Sequence, residues 1–356
     1  MGLTLSMKTL LKRLSEACGA PGFEHSVQNV IRAELEGYVD SITSDPMGNL
    51  IAVKGEGDRS LMLAAHMDEL GLIIKHIDDK GFLRFAKLGG VPDHVLLGKR
   101  VQIHTFKGVV EGVIGCKAIH VMKEEERKQL VTYDKMFIDI GARSADEAKS
   151  MGVKVGDPVT IKVDLFELGG GLVCGKAFDD RAGCAVLIEL LRRIERPSFK
   201  LYAVFTVQEE VGLKGATVSA FALNPTVGVA VDTTIAADHP GTQDHEAPVK
   251  LGKGPVILVA DGRRDSLSGG LIANAKVREW LIEAAERAKV PYQLEVLEGG
   301  TTDATAIHLS QRGVPAGVVS IPSRYTHSFS EVISLDDLEN CVKLLVEAVK
   351  SGLPSF

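Results

Sequence analysis

Along the first fifty residues, apolar positions recur at helical spacing. Met7, Leu10, Leu11 and Leu14 fall on one face, and Gly19 with Pro21-Gly22 supplies a stop after Cys18. A second run, Val27, Val30, Ile31 and Leu35, predicts another helix. From Val39 the pattern shortens into runs rich in Val, Ile and Leu, with strands predicted at 49–54 and 61–65. Between about residues 70 and 165 the predicted strands are short and broken by glycine: 72–77, 82–86, 101–104, 109–114, 137–140 and 159–163. This stretch reads as a small β domain, and its polar run 123–129 as an exposed loop.

After Gly175 the two periodicities alternate. Helices are predicted at 181–193, 215–222, 272–288, 304–312 and 335–351, and strands at 200–207, 226–231, 256–259, 293–296 and 316–321. Such alternation predicts an α/β fold, a parallel or mixed sheet flanked by helices on both faces. No internal repeat or low-complexity segment interrupts it.

The composition agrees with a folded globular chain: of 356 residues, 45% are hydrophobic and 25% charged. The formal charge of −6 leaves no global positive field for nucleic acid or anionic lipid, so neither is an expected partner. The five cysteines (Cys18, Cys116, Cys174, Cys184, Cys341) are odd in number and scattered, with no C-x-x-C pair, which fits reduced thiols in a cytosol. The first eighteen residues carry Lys8, Lys12, Arg13 and Glu16 within their apolar pattern, unlike a signal peptide. No stretch approaches the roughly 20 apolar residues of a membrane helix. A soluble cytoplasmic protein is expected.

Open α/β sheets place their sites outside the carboxyl ends of strands, and five apolar runs end in polar residues of chemical interest. The run 61–65 ends in His66-Met67-Asp68-Glu69, where residues two apart share a side, so Asp68 could buttress a metal-bound His66. Asp179 and Asp180 precede a helix rich in Ala, Val, Leu and Ile, as helix caps or as functional carboxylates. Glu209 and Glu210 close the strand 200–207; as neighbours on a strand they would face opposite sides and do different jobs. Asp232 ends the run 226–231, and Tyr325-Thr326-His327-Ser328 follows the run 316–321. Each has an ordinary reading when taken alone. Together they are two histidines and several carboxylates that one sheet edge could gather into one cavity.

Imidazole and carboxylate without thiolate suit Zn²⁺, Co²⁺ or Mn²⁺. Two such ions roughly 3.5–4 Å apart need a bridging carboxylate and two terminal ligands each. His66, Asp232, Glu210 and His327 supply four terminal ligands, and Asp179 can bridge. Glu209 is left free, as hydrolysis requires of a general base and later proton donor. If His66 and Asp179 serve one metal pair, the Gly-rich β segment between them is an inserted domain. The expected division is 1–69 with 166–356 as a discontinuous catalytic domain, and 70–165 as the insertion.

Read in order, these residues resemble the dinuclear metallo-aminopeptidases of the tetrahedral (TET), glutamyl and deblocking aminopeptidase family. The matching stretches are Ala65-His66-Met67-Asp68-Glu69, Gly175-Lys176-Ala177-Phe178-Asp179-Asp180-Arg181, Val207-Gln208-Glu209-Glu210-Val211-Gly212, Val231-Asp232, and Ser320 through Ser328. The resemblance implies that His66, Asp179 and Asp232 hold one metal, and that Asp179, Glu210 and His327 hold the other. It further implies that Asp68 orients His66, that Glu209 is the general base, and that Asp179 rather than Asp180 bridges. The implied fold is a phosphorylase/hydrolase-like α/β domain with an inserted β-barrel-like domain used for dimerisation. Many members assemble into tetrahedral dodecamers. The implied cofactors are two divalent ions per subunit, Zn²⁺ or Co²⁺, and the implied substrates are peptides with a free N-terminus. The stretch Glu298 to Ala304 is similar to a family Gly-Gly-Thr-Asp-Ala segment but has two threonines, Thr301 and Thr302, before Asp303.

The expected function is therefore a metal-dependent aminopeptidase. Rival readings keep the metals and change the substrate to an N-acyl amino acid, or keep only the fold as a binding scaffold. A glucanase fits poorly, since glycosidases work with two metal-free carboxylates. The remaining histidines show no spacing that distinguishes them from surface or core residues.

Overall fold

The computed structural model describes residues 6–243, 245–246 and 248–356. Helix α1 (Met7–Glu16) starts where the Ser6 hydroxyl accepts the Thr9 N–H, and it buries Leu10, Leu11 and Leu14. Helix α2 (His25–Leu35) buries Val27, Ile31 and Leu35. Strands β1 (Ser41–Ser44), β2 (Leu50–Lys54) and β3 (Ser60–His66) follow.

The chain then leaves the main sheet. Strands β4 (Gly71–Ile77), β5 (Leu83–Leu88), β6 (Arg100–Thr105), β7 (Gly108–Gly115), β8 (Phe137–Asp139) and β9 (Pro158–Ile161) close into a barrel in the order β4-β5-β8-β7-β6-β9. All its pairings are antiparallel, and alternate residues such as Leu72 and Ile74, or Val101 and Ile103, fill its interior. Closure leaves no unpaired edge. The polar run 123–129 is exposed as expected and holds one helical turn, α3 (Glu124–Arg127), in which Glu126 accepts the Lys123 N–H at 2.7 Å. Helix α4 (Ala145–Ser150) begins at a Ser144 cap.

After the barrel come β10 (Phe166–Glu167), β11 (Leu172–Gly175), α5 (Phe178–Arg193), β12 (Lys200–Thr206), α6 (Lys214–Leu223), β13 (Val227–Ile235) and β14 (Val256–Gly262). Helix α7 (Ala275–Arg287), β15 (Gln293–Glu298), α8 (Asp303–Ile307), β16 (Ala316–Arg324), β17 (Glu331–Ser334) and α9 (Leu335–Lys350) complete the chain. The sheet runs β1-β2-β12-β3-β13-β16-β17-β11-β10, with β14 pairing β15 and β16. Its centre, β12-β3-β13-β16, is parallel and its flanks are antiparallel. It is a mixed sheet with a closed antiparallel barrel beside it, the α/β class the alternation predicts.

Strand β3 is buried at every position because helices cover both faces. Leu61, Leu63 and Ala65 pack with Leu10, Ile31, Leu187 and Val342, whereas Met62 and Ala64 pack with Ala216, Ala220 and Ile307. Each fully buried aliphatic side chain here is worth about 1.5–3 kcal/mol.

The expected elements differ from the observed ones at their ends. The helix expected at 304–312 closes after Ile307, because residues 308–313 turn back, with Ser310 and Gly313 N–H groups bonded to Ile307 and Ser310 carbonyls. Strand β17 escapes the apolar pattern because it opens on a buried acid, Glu331.

Candidate metal centre

The parallel strands end side by side at one edge of the sheet, and that edge carries the polar residues. His66 is the last residue of β3 and lies in register with Thr206, the last of β12. Just beyond β12 the backbone turns: Gln208 takes a left-handed φ of 56°, and the Glu209 and Glu210 N–H groups both point at the Asp68 carboxylate, at 3.0 and 3.1 Å. Strand alternation therefore does not govern these glutamates. Both side chains line the same cavity, contrary to the opposite-face expectation, because the strand has already ended.

At the start of α5, Ala177 is left-handed (φ 55°) and Asp179 and Asp180 are not yet helical. Their carboxylates go different ways. Asp180 turns inward, accepting the His66 N–H at 3.1 Å and the Gly183 N–H at 2.9 Å. A Cβ at Gly183 would meet the Asp180 carboxylate within 2.5 Å and the Val231 carbonyl at 2.7 Å, so only glycine fits beside it. Asp179 faces the cavity and has its N–H held by Glu331 Oε2 at 3.1 Å.

Asp179 lies between the two histidines. His66 Nε2 is 3.1 Å from Asp179 Oδ1 and 4.0 Å from Asp232 Oδ1. His327 Nε2 is 3.6 Å from Asp179 Oδ2 and 3.9 Å from Glu210 Oε2. Two groups of three thus form, His66 with Asp179 and Asp232, and Asp179 with Glu210 and His327, each with one atom per residue mutually within 4.8 Å. His66 Nδ1 lies 3.0 Å from the Asp68 carbonyl oxygen and 3.6 Å from its carboxylate. Asp68 thus touches the imidazole chiefly through its backbone.

The electrostatics reflect a shortage of positive charge. Burial pushes the Asp232, Glu209 and Glu210 carboxyls well above the usual range; Asp179 adds to the push on Asp232 and Glu210, and Asp232 to that on Glu209, while His66 opposes it. Burial also works to raise Asp179, but the hydrogen bond and charge of His66, with His327, hold it below its ordinary value. For His66, burial disfavours the cation, yet the bond to Asp179 and the charges of Glu209 and Asp68 raise it well above an ordinary histidine. Glu210 Oε1 is buried with no hydrogen-bond partner among the described residues. Two imidazole-carboxylate groups sharing one acid, with an orphaned carboxylate oxygen, fit divalent cations of the N/O-preferring kind.

Behind the centre lies a supporting set of buried charged residues. Lys176 pairs with Glu69, whose other oxygen accepts the Gly19 N–H at 3.2 Å. Fully buried Arg181 donates Nε–H to the Met67 carbonyl at 2.7 Å and NH1 to that of Ala17 at 3.0 Å. These bonds tie the end of β3 to α1 and α5. Their only sequence signal is that Glu69, Lys176 and Arg181 flank the candidate residues. Asp303 is buried and accepts the Thr206 hydroxyl at 2.5 Å, whereas Thr301 and Thr302 line the cavity.

A family profile described as M42 glutamyl aminopeptidase matches residues 48–344 of the chain. The aminopeptidase APDkam598 from the archaeon Desulfurococcus kamchatkensis is 42% identical and superposes with a TM-score of 0.92, over 97% of this chain and 95% of that one. The TET1 peptidase of Pyrococcus horikoshii, described as able to assemble into a tetrahedron or a large octahedral shell, is 36% identical, with a TM-score of 0.87 over 97% of this chain and 99% of that one. The lysyl aminopeptidase of Pyrococcus furiosus is 34% identical over 348 residues, 96% of this chain and 97% of that protein.

Proposed function

The chain belongs to the M42 glutamyl aminopeptidase family, and from that premise we propose that it releases residues one at a time from peptide N-termini at a dinuclear metal centre with Glu209 as general base. It is a peptide hydrolase of a metal-dependent aminopeptidase family. The observation that carries the finer reading is the pair of ligand groups sharing Asp179, with Glu209 lining the same cavity outside both. His66, Asp179 and Asp232 would hold one Zn²⁺ or Co²⁺, and Asp179, Glu210 and His327 the other. Bound there, the ions supply Lewis acidity for a scissile carbonyl and a lowered pKa for water.

The chain's own residues do the rest. Nδ1–H of His66 donates to the Asp68 carbonyl at 3.0 Å, which fixes the tautomer and leaves Nε2 as the ligand atom. The Glu209 carboxylate takes a proton from the attacking water and delivers it to the nitrogen of the leaving amine. Its backbone, clamped by Asp68, holds that carboxylate in place between the two transfers.

The assembly of the TET1 relative supports a homo-oligomeric state here too, with residues 70–165 as the dimerisation domain. Five free cysteines support a reducing, cytoplasmic setting. Among the described residues no helix is long and apolar enough to cross a membrane.

The test is hydrolysis of aminoacyl p-nitroanilides, free and N-acetylated, by metal-loaded and chelated protein. Turnover that requires both metal and a free amine is expected. Turnover surviving chelation would remove the metals from the reaction, and release of acetate without p-nitroaniline from the acetylated substrates would make the protein a deacylase.

A further inference from the structure

The cavity that holds the candidate centre has a volume of about 570 Å³, within the usual range for a small-molecule site. Its chemistry is lopsided. Every charged side chain that lines it, among the described residues, belongs to the centre itself: His66, Asp179, Glu209, Glu210, Asp232 and His327. The rest of the lining is uncharged: Leu213, Ile235 and Leu297, with threonines and the glycines Gly90, Gly212, Gly299 and Gly300. The three aliphatic residues come from three segments that converge on the cavity: the turn after β12, the end of β13 and the end of β15. Ile235 is 44% exposed, although the eight preceding residues of β13 are all buried. With Leu213 and Leu297 it gives the cavity three aliphatic side chains for an apolar group to contact.

The threonines strengthen this reading. The Thr234 hydroxyl donates its proton to Glu295 at 2.6 Å, and Glu295 is buried behind the wall. That of Thr302 points to buried Asp261 at 3.5 Å. These two hydroxyls spend their donors away from the lumen. An acidic side chain entering here would find no cationic side chain among the lining residues outside the centre. A lysine or arginine side chain would lose its hydration, with no acid open to it except those of the centre. An aliphatic side chain incurs neither cost and gains from contact with Leu213, Ile235 and Leu297.

We propose that the cavity selects substrates whose N-terminal residue is neutral and aliphatic, of the leucine or methionine kind, with Leu213, Ile235 and Leu297 as the specificity-determining residues. This rests on the aminopeptidase reading above. The test is kcat/KM of the metal-loaded protein on leucyl, methionyl, alanyl, glycyl, glutamyl and lysyl p-nitroanilides. Leucine and methionine are expected to lead alanine by roughly 10–200-fold, the discrimination an apolar pocket provides, with glutamate and lysine lower still. Preference for glutamate or lysine, or equal rates for glycine and leucine, would overturn the proposal while leaving the aminopeptidase intact. Hydrolysis of none of them would overturn the parent reading, and this one with it.

The variant I235R, at an exposed position, places a cation in the wall. It is expected to raise the glutamyl-to-leucyl ratio of kcat/KM at least about ten-fold, as one new charge pairing allows. Free leucine should raise the Tm of the wild-type protein more than free glutamate does. An unchanged ratio in I235R, or a larger Tm shift with glutamate, would remove Ile235 and the apolar wall from selection.

Discussion

The carboxylate of Asp68 accepts the backbone N–H of Glu209 at 3.0 Å, joining the end of β3 to the turn that presents Glu209. A second bond from the Glu210 N–H, at 3.1 Å, occupies its other oxygen. The D68N variant keeps one acceptor and turns a donor toward the other N–H. We expect kcat to fall by about 10–100-fold, as for other residues that hold a ligand set from behind, together with weaker metal retention on dialysis. Wild-type kcat in D68N would show that the clamp is dispensable.

Replacing Glu209 with Gln keeps the shape and removes the proposed base. The expected loss in kcat is about 10²–10⁴-fold, with metal content by elemental analysis unchanged because Glu209 stands outside both ligand groups. A variant that turned over normally would need another proton acceptor.

His327 sits in a turn after β16, its side chain 43% exposed, so truncation creates no core cavity. H327A should lose metal from the group formed with Asp179 and Glu210, while retaining the wild-type Tm in the metal-free state. Saturating Zn²⁺ or Co²⁺ should raise the Tm of the wild type more than that of H327A, since ligands of the folded state stabilise it by mass action. Equal metal stoichiometry in the two proteins would refute a ligand role for His327.

Glu295 gives a pH signature unconnected with turnover. Burial raises its carboxyl from 4.5 to about 7, against the opposing hydrogen bond from Thr234. A carboxyl whose folded pKa lies above its unfolded one binds more protons in the folded state. Its full stability is present below pH 4.5 and is lost as the pH climbs to about 7. The gap corresponds to about 3 kcal/mol. E295Q keeps an acceptor for Thr234 and escapes the loss. Urea unfolding should find E295Q gaining on the wild type from pH 5 to 8, with little change in the difference below pH 4. A pH-independent difference would mean Glu295 titrates normally.

The layout of strands and helices was legible wherever burial follows a simple period: β3, β12, β13 and β16 read as apolar runs, and α1, α2 and α9 as amphipathic stripes. His66 and Asp232 stand out because each interrupts an apolar run at its carboxyl end. Glu331 does not, for it is a buried acid at the head of a strand whose partner, the Asp179 N–H, lies far away in sequence. The shared orientation of Glu209 and Glu210 was equally hidden, since it depends on the left-handed Gln208 and on Asp68, two residues past the end of β3. The aliphatic wall is invisible for a third reason. Leu213, Ile235 and Leu297 look like any apolar residues until the fold leaves them facing one cavity.

The order in which the donors occur along the chain has a bearing on the protein's birth. His66 precedes the barrel, Asp179, Glu210 and Asp232 follow it, and His327 comes last, on the turn after β16. Synthesis runs from the N-terminus, and domains fold as they emerge. A nascent chain therefore lacks the His327 donor of the proposed centre until its final strands have left the ribosome. The proposed centre is completed only at the end of synthesis, when the turn after β16 is in place.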